Sequence, residues 1–237
     1  MPGNQINLIR ESKHNNFEYK TQGANMNKIN LKITPKRFQA AHEAGHATIA
    51  KYFNFGINHV VIRENLDLPS HISPHVSLAK PTDANTEFFA GGVAGVIFAD
   101  FPNLSRELFD QLTLSNPHFV WYTKGFDEDV KSFKNKMREQ GLMIHTKISA
   151  RRQSSIFFSM DRTFVPNTFV EKIYESYLII RDESTAFKKF NNGLMRFDFL
   201  GVRAAHYISQ DREINIEENK KDLLSFLERE RHAALII

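Results

Sequence analysis

The sequence contains no cysteine, which excludes disulfide bonds, thiolate metal sites and a cysteine nucleophile. Any metal must therefore be bound by histidine, aspartate or glutamate. Long apolar runs are also absent. The longest run, residues 88–101, contains three glycines and Asp100, and it is shorter than the ~18 residues that a membrane-spanning helix needs. We therefore expect a protein without a membrane span.

The first thirty residues lack the continuous apolar core of a secretory signal. A chain without cysteine is compatible with a reducing compartment, so we expect a cytoplasmic protein. The glycine-rich phosphate loop GxxxxGK[ST] is absent as well, and ATP-driven unfolding cannot reside in this chain.

Basic residues are not concentrated anywhere in the sequence. The formal net charge is +4, and lysine and arginine are interspersed with aspartate and glutamate over 237 residues. A nucleic-acid-binding surface usually combines clustered basic residues with stacking aromatic residues. We therefore expect no nucleic-acid partner.

Apolar residues make up 41% of the chain, which is enough to form one sizeable core. Residues 1–30 are polar and lack apolar periodicity, which is typical of a flexible arm with at most one strand-like fragment. We expect a single domain over residues 31–237. Within it, residues 31–150 should contain a small sheet and the functional residues, and residues 151–237 should be mainly helical. The expected fold class is α+β, mostly helical.

The clearest predicted element is a helix over Pro35–Phe53. Thr34 can cap its first turn, Pro35 suits the first helical position, and Gly56 follows where a helix would end. Apolar residues recur at three- and four-residue spacing between these signals. The other predicted elements are strands at 59–63 and 75–79 and helices at 86–99, 104–114, 127–140, 169–190 and 217–235.

The helix predicted at 86–99 contains Gly91, Gly92 and Gly95. Each glycine costs roughly 1 kcal/mol of helix propensity relative to alanine. We therefore expect this helix to pack very closely against a neighbour.

The first helix contains the pentapeptide HEAGH, which is an HExxH motif with His42, Glu43 and His46. Two histidines four residues apart lie on one helical face, where their nitrogens can converge on one Zn²⁺. Glu43 would then lie beside the metal, where it can accept a proton from a metal-activated water. The histidines share their face with Phe38, Ile49 and Phe53, so we expect this face to point to the interior.

A catalytic zinc normally has three protein ligands, and spacing alone does not identify the third. Carboxylates and histidines downstream of the motif are all candidates. They are Glu64, Glu87, Glu107, His71, His75, His118, Asp127, Glu128 and Asp129. The last three residues lie in the first turn of a predicted helix. Acidic side chains at this position also stabilise a helix through its dipole, without any metal.

Three segments are similar to the peptidase domain of the FtsH family of AAA proteases. Residues 41–47 read AHEAGHA and resemble that family's active-site motif A-x-H-E-A-G-H-A. Residues 90–98 are similar to its L-G-G-R-A-A-E-E-x-x-F helix, and residues 125–131 are similar to its G-A-x-N-D-L segment. The last match places Asp129 at the position of the family's aspartate zinc ligand.

The resemblance covers roughly residues 34–190 and ends with a weaker match, V-x-x-I-x-x-x-Y, at 170–177. The chain also departs from the family. Val93, Gly95 and Val96 replace its arginine and paired glutamates, and Glu128 replaces its asparagine.

The resemblance implies a zincin-like zinc metalloendopeptidase in which His42, His46 and Asp129 bind Zn²⁺ and Glu43 is the catalytic base. Its substrates would be flexible or unfolded proteins or peptides, or a separate protein would deliver them. A homo-oligomer is compatible with this family, which forms rings. One alternative is an inactive relative that acts as an interaction or regulatory protein. Another is a nucleic-acid-binding protein with an accidental HExxH motif.

Overall fold

Helices and strands form at nearly every position that the apolar periodicity predicts. The computed structural model describes residues 7–13, 16–22, 35–63, 73–114, 126–139 and 167–234. The helices in these ranges are α1 (Pro35–Tyr52), α2 (Thr86–Asp100), α3 (Arg106–Leu114), α4 (Phe126–Glu139), α5 (Asn167–Asp182), α6 (Ser184–Phe197), α7 (Val202–Ser209) and α8 (Ile216–Ala234). The strands are β1 (Asn7–Lys13), β2 (Asn16–Gln22), β3 (Ile57–Val61), β4 (His75–Leu78) and β5 (Phe199–Gly201). The fold is α+β and mostly helical, as expected.

Membrane-spanning helices were not expected, and none of the helices in the described ranges is both long and apolar enough to cross a membrane.

The three-stranded sheet has the order β4-β3-β5, and both pairings are antiparallel. β3 and β4 confirm the two predicted strands, with bounds that differ by at most two residues. β4 lies at one edge of the sheet. β5 was not predicted. It has only three residues, and all three are buried, so its sequence shows no alternation of apolar and polar residues.

Two strands form within the polar arm at residues 1–30. β1 pairs antiparallel with β2, from Asn7 opposite Gln22 to Lys13 opposite Asn16. This hairpin is more regular than the single strand-like fragment that the sequence suggested.

The glycines of α2 allow its backbone to touch that of α1. A Cβ atom on Gly45 of α1 would lie 2.1 Å from the carbonyl oxygen of Gly91. A Cβ atom on Gly95 would lie 2.4 Å from the carbonyl oxygen of Ala41. Neither distance leaves room for a side chain, so the prediction of unusually close packing is confirmed. This crossing holds α2 directly over the HExxH turn of α1.

The single helix predicted at 169–190 is wrong. The chain forms α5 and α6, which are separated at Glu183, where φ is −94° and ψ is 26°. Buried Ile180 and Phe187 lie on either side of this break, so the apolar spacing continues through it and does not reveal it. The break lets α5 pack on α2 and α6 pack on α1. Glu183 also accepts a hydrogen bond from Lys51 of α1, at 2.7 Å.

A buried carboxyl group at the end of α2 makes the stability of this helix pair dependent on pH. Asp100 Oδ1 accepts a hydrogen bond from Arg37 Nη2 of α1, at 3.1 Å, and its side chain is 8% exposed. Burial raises the pKa of Asp100 from 3.8 to about 6, although Arg37 partly opposes the shift. The folded state therefore binds this proton more tightly than the unfolded state does. The stabilisation that this proton contributes is fully present below pH 3.8 and is lost as the pH rises through 6.

We expect Asp100→Asn to remove this pH dependence, because an amide does not titrate. The variant's free energy of unfolding, relative to the wild type, should increase by about 2 kcal/mol between pH 4 and 7. Urea unfolding of both proteins across this range measures the difference. Parallel pH profiles would contradict the assignment.

Candidate metal centre

The two motif histidines lie on the buried face of α1. His42 is 4% exposed and His46 is 5% exposed, which confirms that they point to the interior. Their Nε2 atoms are 3.1 Å apart. Phe53 does not share this burial, because it lies beyond the end of α1 and is 37% exposed.

Asp129 of α4 completes a cluster with these histidines. Its Oδ2 atom lies 3.1 Å from His42 Nε2 and 3.3 Å from His46 Nε2. The three ligand atoms lie within 4.8 Å of one another, so the cluster could bind a metal ion. α4 packs against α2, and α2 packs against α1. The fold therefore brings together residues that are far apart in the sequence.

The chemistry of these atoms fits a metal ion. Asp129 Oδ2 is buried and makes no well-aligned hydrogen bond, although both imidazoles are near it. His46 Nδ1 lies 2.7 Å from the carbonyl oxygen of Phe88, which can only accept. Nδ1 must therefore donate, and in the neutral ring this leaves a lone pair on Nε2. A backbone carbonyl that orients a histidine in this way is a common partner of metal ligands.

Opposite charges attract the three side chains of the cluster to one another. Burial alone would raise the pKa of Asp129, but the positive charges of His46 and His42 outweigh it and bring this pKa to about 2. Burial alone would lower the pKa of His46, but the Asp129 carboxylate outweighs it and raises this pKa to about 9. The centre thus contains a buried anionic carboxylate that attracts a cation.

Glu43 lies beside the cluster but is not one of its three ligands. Glu43 is 4% exposed, and its buried Oε2 atom has no hydrogen-bond partner among the residues that the structure describes. Burial raises the pKa of Glu43, although the charges of His42 and His46 partly oppose the shift. A carboxylate with a raised pKa is a better proton acceptor than an exposed one.

Gly92 of α2 forms the wall of the centre opposite the imidazoles. A Cβ atom there would lie 2.5 Å from both His42 Cε1 and His46 Nε2, and 2.6 Å from His42 Nε2. The space beside these nitrogens is therefore available only because residue 92 has no side chain.

We expect Gly92→Ala to weaken metal binding by about 10- to 100-fold, the range found when ligand orientation is disturbed. The added methyl group must displace at least one imidazole from its position. Competition with a chelator measures the change in affinity. Ala90→Gly is the control for altered helix propensity, and an unchanged affinity in Gly92→Ala would show that the imidazoles are not the ligands.

Four of the other candidates for the third ligand lie outside the cluster in the described part of the chain. Glu87 accepts a hydrogen bond from Lys172 of α5, at 2.7 Å. Glu107 of α3 is exposed, and the side chain of Glu128 is 75% exposed. His75 contacts His59 instead of the cluster. Glu64, His71, His118 and the side chain of Asp127 lie outside the described parts of the chain.

Sequence reasoning missed two supporting groups of this centre. The carbonyl of Phe88 carries no side-chain signal, so no pattern could identify it. Gly92 belonged to a glycine-rich helix that was expected to pack closely, but its contact with the imidazoles was not foreseen. No protein-family profile matches the chain, and no curated protein matches it at a significant level.

Proposed function

We propose that this protein is a zinc-dependent metalloendopeptidase. The observation that carries the proposal is the position of Glu43, a buried carboxylate with a raised pKa beside the cluster of His42, His46 and Asp129. Three potential ligands and one adjacent carboxylate that is not a ligand are what metal-assisted hydrolysis requires.

Zinc is the ion that suits these donors best. Two imidazoles and one carboxylate match the three-ligand sets of catalytic zinc sites, which leave a fourth position open. When bound, the ion would polarise a scissile carbonyl and lower the pKa of an attacking water.

Glu43 would hold and move the proton in this reaction. Its Oε2 atom has no hydrogen-bond partner in the described structure, so it can accept a proton from the attacking water. It can then donate this proton to the amine that leaves when the peptide bond breaks. Burial supports the first of these steps because it raises the pKa of Glu43 and so makes its carboxylate a stronger proton acceptor.

The edge strand β4 is a candidate site for the substrate backbone. Its first residue, His75, lies near enough to Glu43 for its charge to lower the pKa of that carboxyl. An extended peptide could add to this edge of the sheet through backbone hydrogen bonds. Such binding favours flexible or unfolded substrates, or substrates delivered by another protein.

The fold proposed for this function is zincin-like and similar to the FtsH peptidase domain, in a cytoplasmic protein. The crossing of α1 and α2 and the position of Asp129 are consistent with the segments that carry the resemblance. The second candidate function is that of an inactive relative which keeps the metal. It is favoured by Val93 and Val96, which stand where the family has charged side chains.

The metal content of the purified full-length chain tests the proposal first. After dialysis, elemental analysis should find about one zinc per wild-type chain and a substantial loss in Asp129→Ala. Glu128→Ala is the matched control, because this neighbouring carboxylate is exposed and outside the cluster. The wild type should also cleave unfolded casein.

Zinc without cleavage would favour the inactive relative. A wild-type protein that binds no zinc, even when zinc is supplied during preparation, would overturn the enzyme proposal.

A further inference from the structure

A second pair of histidines meets on the sheet, outside the cluster of His42, His46 and Asp129. His59 of β3 and His75 of β4 have their Nε2 atoms 3.0 Å apart. In the ladder, His59 is opposite Ser77, so His59 and His75 are diagonal neighbours on one face. The rings meet edge to face, with centroids 5.0 Å apart.

Other contacts hold both rings in place. His75 Nδ1 lies 2.8 Å from the carbonyl oxygen of Ser73, so it donates and leaves a lone pair on Nε2 of the neutral ring. The His59 ring packs against Phe199 and Phe226, at centroid distances of 5.9 and 4.8 Å. The Ser73 carbonyl orients the His75 ring, and packing against the two phenylalanines orients the His59 ring. Their Nε2 atoms therefore face each other.

We propose that His59 and His75 form a second binding site for a divalent transition metal, with Zn²⁺ as its natural occupant. Two nitrogens bound at 2.0–2.1 Å to a tetrahedral ion are separated by about 3.3 Å, which is close to the separation observed here. Imidazole nitrogen is a preferred ligand of zinc, copper and nickel. The Ser73 carbonyl supplies the hydrogen bond that commonly orients such a ligand. Water would complete the coordination.

This site should fill after the cluster on α1 and α4. It offers two neutral ligands, whereas that cluster has three ligands and one carboxylate charge. Burial, together with the charges of His75 and Arg229, lowers the pKa of His59 to about 4. His59 is therefore unprotonated at neutral pH and free to bind a metal, but the nearby positive charge of Arg229 reduces the affinity for a cation.

The test is a zinc titration of the full-length chain by equilibrium dialysis. The wild type should bind two equivalents, with the second weaker than the first. His59→Gln and His75→Gln should each weaken the second equivalent by at least about 10-fold and leave the first unchanged. Ser77→Ala is the matched control on β4, because it retains both imidazoles. Asp129→Ala should weaken the first equivalent only, so failure of the proposed enzyme centre is distinguishable from failure of this site.

A second measurement keeps the test decisive if a variant does not fold. Crystals of the wild type grown with zinc should give an anomalous scattering peak between the two Nε2 atoms. A single bound equivalent in the wild type, or a second equivalent that both glutamine variants retain, would overturn the proposal. The pair would then be a neutral hydrogen bond in which His59 Nε2 donates to His75.

Discussion

Replacing Glu43 with glutamine is expected to reduce peptide hydrolysis by about 100- to 10,000-fold, which is the usual contribution of a general base. The substitution keeps the size of the side chain and its place beside the cluster. It removes only the ability of Oε2 to accept a proton. Since Glu43 is not one of the three ligand residues, the zinc content should not change. This combination of lost activity and retained metal separates a catalytic role from a structural one.

The measurement is the rate of cleavage of an unfolded protein substrate, with zinc determined on the same samples. Glu128→Gln is the control, because it makes the same chemical change on an exposed residue that does not belong to the cluster. A Glu43→Gln variant as active as the wild type would show that another group accepts the proton or that a contaminating protease causes the cleavage. If neither the wild type nor Glu43→Gln cleaved the substrate, the protein would be the inactive relative.

The sequence predicted the elements that position the centre because their signals are local. α1 has a start signal, a stop signal and regular apolar spacing, and it contains His42, Glu43 and His46 at a fixed spacing. α2 has the glycines that its contact with α1 requires. These features depend on neighbouring residues alone, so they can be read before the fold is known.

The features that the sequence did not predict depend on contacts between distant segments. Asp129 was one of nine candidates by spacing, and only the family resemblance favoured it over the others. The reason is that the packing of α4 on α2, rather than any local pattern, brings its carboxylate to the histidines. β5 and the break at Glu183 were missed for the same reason, since both are stabilised by elements elsewhere in the chain. The pairing of His59 with His75 likewise depends on the register of β3 and β4.

Replacing Gly45 with alanine should destabilise the protein by at least about 2 kcal/mol, although alanine is the better helix former. Helix propensity alone predicts a gain of about 1 kcal/mol from this substitution. The added Cβ atom would lie 2.1 Å from the carbonyl oxygen of Gly91 and 3.0 Å from the Cα atom of Gly95. Because both are backbone atoms, no side-chain rotation relieves the overlap, and α1 must separate from α2. The sign of the effect therefore distinguishes packing from propensity.

Urea unfolding of the two proteins measures this difference, and Gly193→Ala is the matched control. Gly193 is also a buried helical glycine, but the atoms nearest to an added Cβ atom there are side-chain atoms of Ile214 and Leu200, at 3.0 Å or more. These side chains can move, so the control should change the free energy of unfolding by less than about 1 kcal/mol. Separation of the helices in Gly45→Ala would also move Gly92 away from His42 and His46, and zinc affinity should fall together with stability. A Gly45→Ala protein as stable as the wild type would show that the two backbones are not in contact.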